Sequence, residues 1–153
     1  MAQNDIVVDA NVMALFGSRA GGVHESLFTW LGCCGGLCVS NSLLNEYGRQ
    51  HSIFVSALIA KITREGRLSK IKNSTIDRFY KDKNYAYTCN HEDILIARTV
   101  FRSFRKLLVS NDLRLRNDIN GFSRINGVSP RAVAVVGRDD LMPPAAGCPA
   151  TKH

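Results

Sequence analysis

Ile6-Val7-Val8 is a short, unbroken apolar run, and Asp9 follows it directly. β-Branched residues with no polar alternation predict a strand buried on both faces, as in a parallel sheet. The period then changes. Residues 11–18 suggest a short helix, Arg19-Ala20-Gly21-Gly22 a turn, and Val23, Leu27, Phe28 and Leu31 one side of a further helix. Leu37-Cys38-Val39 predicts a second strand, and Ser40-Asn41-Ser42 supplies caps for a helix running through Leu43, Leu44, Glu46 and Tyr47. In residues 53–64, Phe54, Leu58 and Ile62 recur every four positions, with Ile53 and Ala57 beside them. Gly66 is placed to close that helix. Residues 68–72 read as a short extended link, residues 74–81 as a helix and residues 82–89 as a loop. A long helix is expected from Asn90 through Phe104, with Ile94, Ala97, Phe101 and Phe104 as its apolar face. Leu107-Leu108-Val109 predicts a third buried strand, residues 113–128 a stretch that is largely loop, and residues 132–136 a last strand.

Strands separated by helical segments predict a parallel α/β architecture. No composition shift interrupts it before Gly137, so residues 1–138 are expected to form one domain. Residues 139–153 contain Pro143, Pro144, Gly147 and Pro149 and are expected to be a flexible C-terminal tail. The apolar runs are too short to span a bilayer, and the first residues have no basic or signal-like pattern. A cytoplasmic location is the simplest expectation. Five cysteines argue against a closed disulfide framework, and free thiols are expected. Cys89 and His91 lack a second ligand pair at zinc spacing. The net charge of +7 arises mostly between Lys61 and Lys106, which suits a polyanionic partner.

Four carboxylates fall at comparable boundaries: Asp9, Glu46, Asp93 and Asp112. Asp9 and Asp112 follow buried strands, Glu46 lies in the helix after the second strand, and Asp93 starts the helix before the third. A parallel sheet brings such positions toward its carboxyl edge, where ligands bind in open α/β folds. Each acid also has a structural explanation. Asp9 and Asp112 could cap helices, Asp93 suits the first turn of one, and Glu46 could be solvated. Taken together, they resist joint ionisation unless a hard cation neutralises them. Mg²⁺ or Mn²⁺ favours carboxylate and water ligands, and such a site can hydrolyse phosphodiesters.

In this order, Ile6-Val7-Val8-Asp9-Ala10-Asn11-Val12, Leu43-Leu44-Asn45-Glu46, Asp93-Ile94-Leu95-Ile96-Ala97 and Val109-Ser110-Asn111-Asp112 resemble the PIN domain family. The resemblance spans Ile6 to about Val136. It implies a three-layer α/β/α, Rossmann-like fold and a Mg²⁺- or Mn²⁺-dependent endoribonuclease. It further implies a possible role as the toxin of a toxin–antitoxin pair (the VapC type), with an antitoxin partner and homodimerisation. Carried over by position, Asp9, Glu46, Asp93 and Asp112 would be the catalytic and metal-holding acids. Ser110 would steady a water at the metal, and Asn11 would orient the ligands. Glu92 leaves the register at Asp93 open by one residue, and Asp118 is a competing late acid. The alternative reading is a catalytically silent PIN-like module that binds RNA or protein.

Arg98, Arg102 and Arg105 recur along the helix that carries Asp93. They are either a solvated face or a phosphate-binding stripe that positions RNA over the acids. Arg64, Arg67, Lys70, Lys72, Arg114 and Arg116 would widen such a surface. His91 is more simply a surface residue than a proton carrier.

Overall fold

The computed structural model describes residues 5–141. Five strands form one parallel sheet: β1 (Asp5–Val8), β2 (Gly36–Ser40), β3 (Leu68–Ile71), β4 (Leu107–Val109) and β5 (Arg131–Val133). Their order is β3-β2-β1-β4-β5, with Ile6 opposite Leu37 and Val8 opposite Val109. Every residue of β1, β2 and β4 is buried, which is why these strands lack polar alternation. Residues 68–72, expected to be a link, include the edge strand β3. Its pairing with β2, not its own composition, makes it a strand.

Seven helices connect the strands: α1 (Ala10–Met13), α2 (Glu25–Cys33), α3 (Asn41–Arg49), α4 (Ile53–Arg64), α5 (Asn73–Asp77), α6 (Asp93–Arg102) and α7 (Leu113–Gly121). The chain first moves outward from β1 to β3, then crosses back to β4 and β5. With right-handed crossovers, that reversal puts α1–α4 on one face and α5–α7 on the other. The helix packing agrees: α2 and α3 both touch α4, whereas α5 and α7 both touch α6. The result is the three-layer α/β/α arrangement. Among the described residues no helix is long and apolar enough to cross a membrane.

Several elements differ from their sequence patterns. α4 has the expected ends but buries Val55, Leu58 and Ile62, leaving Ile53 78% and Phe54 54% exposed. The helix carries two adjacent apolar stripes, and packing against α2 and β3 selects one. α6 is shorter than expected. It buries Ile96, Ala97, Val100 and Phe101, and Phe104 lies beyond its end on the surface. Residues 113–128, expected to be largely loop, contain α7. Asp112 caps it, and Leu115 and Ile119, four residues apart, are both buried. Cys38 and Cys89 are free thiols, as expected, whereas Cys34 is disulfide-bonded. At the expected start of the tail, Arg138–Asp140 form a 3₁₀ turn and Leu141 joins the core. The remainder of that expected tail lies outside the described residues.

Candidate metal centre

Asp9 is the centre of the site. It ends β1 between β2 and β4, where the chain's direction across the sheet reverses. Its backbone N–H donates to the Val109 carbonyl at 3.0 Å, so β4 fixes its position. Its side chain accepts from the Ala10 N–H at 2.7 Å, from Ser110 Oγ at 2.6 Å and from Asn11 Nδ2 at 3.3 Å. Helix capping is therefore real, but one oxygen serves it and the other faces polar side chains. Asp9 is 5% exposed, and burial raises its carboxyl pKa. The nearby Asp112 charge adds to that rise, and the hydrogen bonds oppose it.

Ser110 follows β4 and is completely buried. Its hydroxyl donates to Asp9 and accepts the Asp112 N–H at 3.0 Å. It thus ties the first and last acids together. Asn11 does the same from the surface, because its Oδ1 accepts the Asn111 N–H at 3.2 Å. Asp112 caps α7 by accepting from the Leu115 N–H at 3.2 Å. Arg116, one turn on, donates to the Ser110 carbonyl at 2.8 Å.

α3 brings Glu46 to the same edge. The Tyr47 hydroxyl donates a buried hydrogen bond to the Val8 carbonyl. Gln50 Nε2 donates to the Ala10 carbonyl at 2.8 Å. The helix carrying Glu46 therefore grips the chain on both sides of Asp9. Burial and the Asp9 charge raise the Glu46 pKa, against the pull of Arg49. Tyr47 and Gln50 were invisible as site residues in the sequence. The available signal was their place next to Glu46 and one turn after it.

Asp93 opens α6. Its pKa is pushed up to about 7, by burial first, then by a hydrogen bond with Asp112 and by the charges of Asp9, Asp112 and Glu46. Asp93 thus feels the charge of each of the other three acids. Glu92 is exposed and lines the adjoining cleft, where its charge also reaches Glu46. Asp118 is elsewhere: its carboxylate accepts from the Thr88 and Cys89 N–H groups at 2.9 to 3.1 Å and anchors the loop before α6. Burial opposes its ionisation, but these hydrogen bonds outweigh that and hold its pKa low.

The cleft of about 440 Å³ beside the acids is lined by Asn45, Glu46, Arg49, His91, Glu92 and Arg98, among others. Arg98 is paired with the buried Asp82 at 2.8 Å. Arg102 lies a full turn further along α6, over the Phe79 ring at 5.3 Å. Arg105 departs from the expected stripe, because α6 ends at Arg102. Its guanidinium folds inward, donating to the carbonyls of Asp5 at 2.8 Å and Asp140 at 2.6 Å. Those bonds hold it over Trp30, where it has a structural use.

Among the described residues, no three His, Cys, Asp or Glu side chains form a group close enough to hold a metal ion between them. Mg²⁺ keeps several waters and needs only one or two carboxylates, whereas structural zinc needs four tight ligands. Asp9, Glu46 and Asp93, whose pKa values are all raised, together with Asp112 would be the carboxylate donors to such an ion.

No family model matches the chain, and no curated protein matches it. Among solved structures, the fold is similar to a chain from the crystal structure of VapBC2 from Rickettsia felis bound to a DNA fragment from their promoter. The match covers 84% of this chain and 98% of that one, at 15% identity and a TM-score of 0.49.

Proposed function

We propose that this protein is a divalent-metal-dependent endoribonuclease hydrolysing RNA phosphodiester bonds. The observation that carries the reading is the gathering of Asp9, Glu46, Asp93 and Asp112 at one sheet edge beside an open cleft, with Ser110 bonded to Asp9 and the Asp112 backbone and α3 bonded to the chain on both sides of Asp9. Four separate helix caps or solvated acids would have no reason to converge. In this reading Asp9, Glu46, Asp93 and Asp112 hold Mg²⁺ or Mn²⁺. When bound, such an ion supplies positive charge for the phosphate and makes an attacking water more acidic.

The chain's own residues do the positioning. Ser110 and Asn11 fix the Asp9 carboxylate, and Ser110 also holds the Asp112 backbone. With its hydroxyl donating to Asp9 and accepting from Asp112, Ser110 orients acids rather than water. Asp93, whose pKa is pushed up to about 7 beside the other acids, would be held ionised by a bound cation. Arg49 supplies positive charge along the cleft that would receive the RNA backbone, and Arg98, paired with Asp82, forms part of its wall. The antitoxin partner, toxin role, homodimer and cytoplasmic location implied by the PIN resemblance belong to this same proposal.

The test is cleavage of a structured RNA with Mg²⁺ or Mn²⁺, with and without chelator. Asp9→Asn and Asp112→Asn should each lose activity by orders of magnitude while remaining folded, since asparagine caps a helix about as well as aspartate. Near-full activity in either variant would overturn the assignment. RNA binding without cleavage in either metal would favour the silent binding module.

A further inference from the structure

The turn after α5 has a different character from the acid edge. Arg78, Tyr80, Lys81 and Lys83 are exposed on it, and Tyr80 is 74% exposed. Their neighbours Phe79 and Asp82 are buried. Phe79 stacks on Phe101 at 5.4 Å between ring centroids, and Asp82 is held by Arg98 at 2.8 Å and the Tyr87 hydroxyl at 2.6 Å. The Lys83 N–H donates to the Tyr80 carbonyl at 3.1 Å and the Tyr85 N–H to the Asp82 carbonyl at 2.9 Å. The turn is therefore pinned from beneath at two points, and Tyr80 is displayed between them.

The charge around it is lopsided. Lys81 and Arg102 lie close enough that each depresses the pKa of Lys106. Asp82 is neutralised by Arg98, and the exposed acid on this stretch is Asp77. Among the described residues, Arg78, Lys81, Lys83 and Arg102 make no salt bridge of 4.0 Å or less. Tyrosine is more often partly buried than left this open. A rigid aromatic face among unpaired cations matches a single-stranded nucleic acid, which offers phosphates to the cations and a base to the ring.

We propose that Tyr80, with Arg78, Lys81, Lys83 and Arg102, forms a binding site for single-stranded RNA outside the acid edge. The choice of RNA rests on the nuclease reading; the site's geometry does not. Arg102 stands nine residues along α6 from Asp93, about 14 Å at the helical rise. One strand could therefore be held at the turn while its continuation enters the cleft past Arg98. The turn would select unpaired RNA, since a stacked duplex has no free base face for Tyr80.

The experiment is fluorescence anisotropy of a labelled oligoadenylate in chelator, so that binding is read without cleavage. Tyr80→Ala should weaken binding about tenfold and leave the salt dependence unchanged, and Tyr80→Phe should restore it. Lys81→Ala with Lys83→Ala should lower the log–log salt slope by about 1.4, or about 0.7 for each phosphate that is no longer neutralised. If wild type binds the oligoadenylate with these dependences and yet cleaves no RNA with Mg²⁺ or Mn²⁺, the nuclease reading falls and this site stands. Tyr80→Ala binding as wild type does overturns the proposal. So does equal competition by polyglutamate, which would make the turn a general anion surface.

Discussion

Asp93 makes the stability of the metal-free protein depend on pH in a definite direction. Its folded pKa of about 7 lies above the ordinary 3.8. A carboxyl raised in this way lowers stability when it is ionised, so stability is regained as pH falls from above 7 toward 4. Asp9 and Glu46 shift in the same direction. Asp118 shifts in the opposite one, so its contribution is present above about 4 and lost below it. Melting temperatures in chelator should therefore rise between pH 8 and about 5, then fall. Asp93→Asn should melt higher than wild type at pH 8 and lose much of that rise. A wild-type profile that falls steadily from pH 8 would remove the argument for a strained cluster. Asp118→Ala should lower stability by about 1–3 kcal/mol in urea titrations, because the Thr88 and Cys89 N–H groups lose a shared acceptor.

At the level of elements, α3 matters more than its length suggests. Tyr47 and Gln50 tie it to the backbone before and after Asp9, and so set the spacing between Asp9 and Glu46. The Ala10 carbonyl also accepts from the Ala14 N–H, and the Gln50 Oε1 is buried without a partner. Leucine at position 50 would thus remove a bond and an orphan together, with little net effect on stability. We expect Gln50→Leu to keep its melting temperature but bind Mn²⁺ about tenfold more weakly, as read by calorimetry. Tyr47→Phe should lower both. Tyr87→Phe, which breaks a similar hydroxyl bond to Asp82 away from the acids, should lower stability alone. If both α3 variants bind Mn²⁺ like wild type, the grip of α3 on the Asp9 turn has no bearing on the site.

For the whole molecule, the acids join elements from both faces of the sheet, so a cation should act as a cross-link on the fold. Mn²⁺ should raise the melting temperature of wild type, and Asp9→Asn should lose most of that shift. No shift in wild type would count against a metal site. The strands β1, β2 and β4 were legible in the sequence, since burial on both faces leaves a continuous apolar run. So was the order of the four acids, because side chains at strand ends and helix starts are set by local pattern. Capping by Asp9 and Asp112 was also legible, as it depends on residues a few positions apart. The buried side of α4 was not, because two stripes on one helix differ only in what packs against them. Nor was α7, whose Leu115 and Ile119 are weak signals among Asn and Arg until β5 and α6 cover them. The division of labour among the arginines also required the fold. Arg98, Arg102 and Arg105 look alike along the chain, and only distant partners separate them. Asp82 pairs with the first, Phe79 lies beneath the second, and the carbonyls of Asp5 and Asp140 draw the third inward. Tyr47 and Gln50 belong with these. Sequence carries what a residue owes to its near neighbours, and a bond across about 40 positions exists only once the sheet has brought its ends together.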